Sequence, residues 1–229
     1  MKRFYKLAAA SPEEGAVAVL LDSRLIRTPA RNPLRVPTEE LAEAIAEEWN
    51  AQGEEVDPRS MPLTGLANAA IDRVAPDPAA FAASLALYGE SDLLCYRSEA
   101  PQALVERQSA EWDPLLEWAR QRFDVEFEVT AGVMHRPQPP ATVEQLARAV
   151  AARGTFQLAG LSPLITISGS LIIALALAEG VAGLDLAWDA ATLDERWQAE
   201  QWGEDALAAQ ALRNRRREFE AAYRFLTLL

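Results

Sequence analysis

Three carboxylates near the carboxyl-terminal end, Glu195, Glu200 and Glu204, are the first place to look for acid–base or metal chemistry. Their spacing of i, i+5 and i+9 does not put them on one helical face, as paired acid–base work or a metal site requires. Cys95 is the only cysteine and His135 the only histidine, so no zinc-type ligand cluster is present. A Cys95 nucleophile would need a base, and His135 is the sole candidate. It stands in the proline-rich run Met134-His135-Arg136-Pro137-Gln138-Pro139-Pro140, where a solvated loop residue without a carboxylate partner is the plainer reading. No glycine-rich loop ends in Gly-Lys-Ser/Thr, so a phosphate cradle is missing. Ser168-Gly169-Ser170 lacks the flanking glycines of a nucleophile elbow. A structural or interaction protein with no cofactor is therefore expected ahead of an enzyme.

The aromatic residues point the same way. The stretch from Tyr88 to Trp118 holds two of the six tryptophans and the single cysteine. After Pro101, Val105, Trp112, Leu116, Ala119 and Phe123 fall on one helical face, opposite Glu106, Arg107, Glu111, Glu117 and Arg120. Asp113-Pro114 predicts a cap and a fresh helix start, hence two helices meeting at a kink. Trp112, Trp118, Trp197 and Trp202 are interface anchors if exposed and core if buried.

At 229 residues the chain suits one large domain, or a small one attached to a larger. Half of the residues are hydrophobic and 24% charged, an ordinary globular balance. The net charge of −12 argues against nucleic acid as a partner. Residues 1–37 hold seven Lys/Arg against three Asp/Glu, so a +4 stretch precedes a −16 remainder. Such an asymmetry helps two parts dock or orients a partner. The lone cysteine fits a reducing compartment, and Met1-Lys2-Arg3-Phe4-Tyr5 opens no signal or transit segment. The expected setting is the bacterial cytoplasm, or the mitochondrial matrix for an organellar homologue.

The expected fold is α+β and mainly α, with a small β-rich module over 1–37 packed on a helical domain over 38–229. Strands are expected at Arg3–Leu7, Ala16–Leu21 and Leu25–Thr28, with Asp22-Ser23 as a turn. Thr38 caps a helix to about Ala51, with Glu39 and Glu40 in its first turn and Leu41, Ile45 and Trp49 as its stripe. Asp77-Pro78 starts another. Val125–Thr130 is a possible strand, and Thr142-x-x-Gln145 is a capping box opening a helix that Gly154 ends. Leu161–Ala178 is apolar enough to approach membrane-span length, about 17–25 residues. Its serines, Thr166 and Pro163, and the lack of basic flanks, predict a central buried helix of a bundle instead. A helix capped by Asp189 runs to Trp202-Gly203, and a last one spans about Asp205 to Leu228 with Arg213, Arg215, Arg216 and Arg217 on a solvated face.

Four blocks in this order resemble a chaperone family that assembles the catalytic F1 sector of ATP synthase. They are Pro37-Thr38-x-x-Leu41-Ala42 with Glu48-Trp49-x-x-Gln52; Met61-Pro62-Leu63-Thr64 with Asn68 and Ile71-Asp72; Asp92-Leu93-Leu94-Cys95-Tyr96-Arg97 with Gln108-x-x-x-Trp112-Asp113-Pro114-x-x-x-Trp118; and Leu193-Asp194-Glu195-Arg196-Trp197-Gln198-x-x-x-Trp202-Gly203. The family usually has tyrosine where Trp197 stands, and an acidic or histidine-containing run where this chain has Ala206-Leu207-Ala208-Ala209. The resemblance implies a non-enzymatic, monomeric assembly chaperone that binds the free alpha subunit until the beta subunit replaces it. It further implies an essential glutamate near the last block, placed by position at Glu195 with Glu204 second. Trp202, Trp197 and Trp112 join these two as the expected partner-binding residues. The alternatives are a hydrolase using the helical carboxylates and a helical adaptor for another protein.

Overall fold

A computed structural model describes residues 2–229, with ten α-helices and six short strands. The chain divides into two compact units. The first comprises Met1–Pro78, Gly154–Gly160 and Ala221–Leu229; the second comprises Ala79–Arg153 and Leu161–Glu220. The β-rich stretch over 1–37 thus shares its unit with the helices that follow it as far as Pro78.

In the first unit, β2 (Ala16–Leu21) is the central strand, antiparallel to β1 (Ala8–Glu13), β3 (Arg24–Leu25) and β4 (Arg35–Val36). Asp22 and Ser23 both have positive φ, 46° and 69°, which suits a two-residue turn of the twist this hairpin needs. The strand expected at Arg3–Leu7 starts later, at Ala8. The Asp22 carboxylate accepts the Lys6 and Leu7 N–H groups, each at 3.0 Å, and so takes donors that a ladder would need. Those N–H bonds hold the Asp22 carboxyl below its ordinary pKa. Pro12 is tolerated because β1 is an outer strand. The third strand ends at Leu25, short of the expected Thr28. The Thr28 hydroxyl, Ala30 N–H and Asn32 amide all donate to Asp72, which fixes that segment as a turn.

Helix α1 (Glu39–Asn50) starts as its sequence dictates, with Thr38 accepting the Leu41 N–H. It buries Leu41 and Ile45 among Val19, Leu34, Val36 and Leu63. Glu48 projects from its last turn to the start of α2 (Pro62–Ala69), accepting Leu63 N–H, Thr64 N–H and the Thr64 hydroxyl at 2.7–2.8 Å. Burial raises the Glu48 pKa, and these donors oppose that rise. Gln52 spans the intervening loop, donating to the Glu48 carbonyl and Ser60 while accepting from Asp57. A π-helical turn at Ala70–Val74 follows.

The second unit is helical. Its elements are α3 (Pro78–Ala86), α4 (Gln102–Phe123), α5 (Pro140–Ala151), α7 (Leu171–Ala178), α8 (Leu184–Ala191) and α9 (Leu193–Trp202), with α6 (Thr155–Ser168) and α10 (Ala206–Thr227) contributing residues to both units. A two-residue parallel pairing joins β5 (Tyr96–Arg97) to β6 (Thr130–Ala131).

Five expectations are corrected here. The predicted kink at Pro114 leaves α4 a single helix of 22 residues. Asp113, rather than capping a new helix, accepts from Arg97 at 2.7 Å, and Trp112, Leu115, Leu116 and Ala119 continue one buried face across the proline. The expected helix from Leu161 to Ala178 is two, parted at Ser168-Gly169-Ser170. There Gly169 has φ +69° and the Ser170 hydroxyl accepts the Ile173 N–H to start α7. Asp189 lies inside α8, and the break comes at Thr192. Thr142 lies inside α5, which begins at Pro140; its hydroxyl donates to the Glu126 carbonyl and accepts the Glu126 N–H. Gln138 pairs likewise with Glu128, so side chains take the backbone groups of Glu126 and Glu128 in the stretch expected to be a strand at Val125–Thr130. Among the described residues no helix is long and apolar enough to cross a membrane.

Candidate partner-binding site

Helix α9 has two sides with different employment. Asp194 accepts from Gln108 of α4 at 2.8 Å, and Glu200 accepts from Arg107 at 2.8 and 3.0 Å. Arg196 donates to Glu111 and to the Asp189 carbonyl. These residues bind α9 to the body of its unit. Glu195, Gln198, Ala199 and Trp202, spaced i, i+3, i+4 and i+7, form the other stripe. They line a groove of about 530 Å³ whose opposite wall is Ala208, Ala211, Leu212 and Arg215 of α10. Gly203, with φ +90°, ends α9, and Asp205 accepts the Ala208 N–H to open α10, so one tight corner closes the groove.

Trp202 is 79% exposed and Leu207 82% exposed, large apolar side chains at the same helical corner. Glu204 and Asp205 stand at this end. Glu195 lies along the wall in an ion pair with Arg215. Glu195 and Glu204 thus share the groove, while Glu200 is engaged on the other side of α9. The three carboxylates do not converge.

Of the other expected anchors, Trp197 is half-buried. Trp112 is core: it is 1% exposed, its indole N–H donates to the Ala190 carbonyl at 2.9 Å, and Arg97 stacks 5.1 Å above its ring. That burial removes Trp112 from any partner surface. Trp118, also half-buried, meets Phe123 edge-on at 5.5 Å. Leu207 and the α10 wall escaped attention in the sequence, although Ala208, Leu212 and Arg215 repeat the same i, i+4, i+7 spacing.

The chemistry-bearing residues elsewhere are occupied. Cys95 is buried, and that burial, aided by the nearby Asp92 charge, pushes its thiol up to about 12, far from a nucleophile's range. The His135 Nδ1 lies 3.0 Å from the Tyr96 hydroxyl in an exposed loop. Asp92, fully buried, accepts the Leu94 N–H and the Ile172 N–H at the start of α7, and burial pushes its carboxyl up to about 6. Among the described residues no three His, Cys, Asp or Glu side chains gather to hold a metal.

Comparison with known proteins gives a consistent picture. Residues 2–120 match the model of the family described as ATP12 chaperone protein. The mitochondrial protein atp12 of Schizosaccharomyces pombe is 26% identical over 219 residues, covering 90% of this chain and 75% of that protein. Crystallised Atp12 from Paracoccus denitrificans is 44% identical with a TM-score of 0.94, covering 99% of this chain and 97% of that one. An aspartate-to-lysine mutant of the same Paracoccus protein superposes with a TM-score of 0.95 at the same identity and coverage.

Proposed function

This chain belongs to the ATP12 chaperone family, and from that premise we propose that it is an assembly chaperone for the F1 sector of ATP synthase. It binds the free alpha subunit, shields the surface later covered by the beta subunit, and gives way to that subunit. It works by binding and transforms no molecule. Its setting is the compartment where F1 is assembled, the bacterial cytoplasm or the mitochondrial matrix.

The observation that carries this reading is the exposure of Trp202, which lines the α9–α10 groove, and of Leu207 in the first turn of α10. Tryptophan is enriched among the residues that dominate binding energy, and apolar side chains held open to water by two rigid helices are pre-organised for a partner. Glu195 and Glu204 supply a polar rim. A subunit of an obligate assembly exposes a large apolar interface when alone, which an acidic, self-repelling shield can cover without itself aggregating.

Affinity-tagged protein expressed in a host with an intact synthase should retain the alpha subunit, and added beta subunit should displace it. Recovery of no synthase subunit would overturn the proposal. Alpha retained despite excess beta would overturn the exchange step alone.

A further inference from the structure

Helix α10 has a second groove on its other side. It measures about 310 Å³ and is lined by Trp188 of α8 with Leu212, Arg213, Arg216 and Arg217. Leu212 lines both grooves, so the amino-terminal half of α10 is a ridge between them. The charges differ sharply. The Trp202 groove carries Glu195, Glu204 and Asp205 against Arg215. The Trp188 groove is lined by three arginines, of which only Arg216 is paired with carboxylates, those of Asp185 and Glu220.

These arginines are unequally employed. Arg216 pairs with Glu220 at 2.6 Å and Asp185 at 2.5 Å and stacks 5.4 Å from the Trp188 ring, so it is a fixed wall. Among the described residues, Arg213 meets only the Gln210 amide oxygen and no acceptor meets Arg217. Both are exposed, at i and i+4 on one helical face, where like charges disfavour the helix. In a chain of net charge −12, two uncompensated arginines flanking an apolar floor point to an acidic ligand. Nucleic acid is the wrong one, because the rest of the chain would repel its phosphates.

We propose that this groove is a second docking site, for an acidic amphipathic segment of the protein bound at the Trp202 groove. Carboxylates of that segment meet Arg213 and Arg217, and an apolar side chain covers Leu212 and the edge of Trp188. The partner grips α10 from both sides. This rests on the chaperone function proposed above, with the alpha subunit as partner.

The test measures binding of purified alpha subunit to the full chain by calorimetry, over a range of salt concentrations. The double variant Arg213→Glu with Arg217→Glu should bind roughly tenfold more weakly and show a flatter salt dependence. The neutral pair Arg213→Gln with Arg217→Gln should lose about threefold, and Arg148→Glu, at an exposed arginine of α5 outside the groove's lining, should bind as wild type. Thermal melting of each variant confirms its folding. Wild-type affinity in both double variants would overturn the second site and leave the chaperone reading standing. Failure of the wild-type chain to bind alpha subunit would overturn both. Binding of a single-stranded oligonucleotide that vanishes in the Arg213→Glu, Arg217→Glu variant, with alpha-subunit binding intact, would assign the groove to nucleic acid and overturn the proposal.

Discussion

Trp112 and Trp202 are the same residue type on helices of the same unit, yet they have opposite surroundings. Trp112 sits mid-helix with its N–H bonded, a guanidinium over its ring and the buried face of α4 continuing on both sides. Trp202 is the last residue of α9, beside a glycine that turns the chain away, and nothing covers it. The difference lies in position within the element. A tryptophan in the middle of an apolar face is enclosed by its neighbours, and this one at a corner stays open to solvent. Under the proposed function the contrast gives stability to one region and recognition to the other, and each half can be broken.

The sharpest break is Trp112→Ala. Loss of a fully buried indole should cost about 3–5 kcal/mol in denaturant unfolding. A cost below ~1 kcal/mol would mean the site is not the core it resembles. Asp92, in the same interior, gives the pH arm. Its native carboxyl is pushed up to about 6 by burial, so the folded chain takes up that proton more readily than the unfolded one. The resulting contribution to stability is present below about pH 4 and lost as pH rises through about 6. Wild type should therefore lose stability relative to Asp92→Asn over that window, by about 3 kcal/mol of unfolding free energy in urea. Parallel pH profiles would contradict the assignment.

At the corner, Trp202→Ala should weaken alpha-subunit binding by about 2 kcal/mol while shifting unfolding by no more than ~0.5 kcal/mol. A large stability loss would make Trp202 a second Trp112. Glu195→Lys is the mildest change. It sets a cation against Arg215 in place of an ion pair whose partners are 49% and 39% exposed. Binding should fall severalfold while unfolding moves by under ~1 kcal/mol. Unaltered binding would restrict Glu195 to a structural pairing.

Much of the scaffold was legible because its signals are local. Thr38 caps α1, Asp22-Ser23 turns the hairpin and Gly203 ends α9, each through chemistry contained within a few residues. The blocks that carried the family resemblance turn out to knit the interior: Glu48 and Gln52 seat α2, Asp92 seats α7, and Gln108 reaches Asp194. What escaped is what depends on distant partners. Asp113-Pro114 reads as a helix start until Arg97 claims the aspartate. Thr142 reads as a cap until Glu126 takes its hydroxyl. The long apolar stretch reads as one helix because hydropathy does not register that Ser168-Gly169-Ser170 supplies both an end and a beginning. For the candidate site, Trp202 stood out as an aromatic anchor if exposed, and Glu195 and Glu204 only through the family resemblance; the wall opposite them became visible only when α10 folded back along α9.

Phe225 is fully buried in the first unit's core, Leu226 lies against Gly160, and the Leu228 carbonyl receives the Thr38 hydroxyl. A chain emerging from the ribosome makes the sheet and α1 early, yet the residues that finish their core come after residue 220. The inserted helical unit has all its residues first. Premature termination beyond α9 would thus leave the earliest-made portion with an unfilled apolar hollow, open to proteolysis. Only chains translated as far as Phe225 would persist to meet a client.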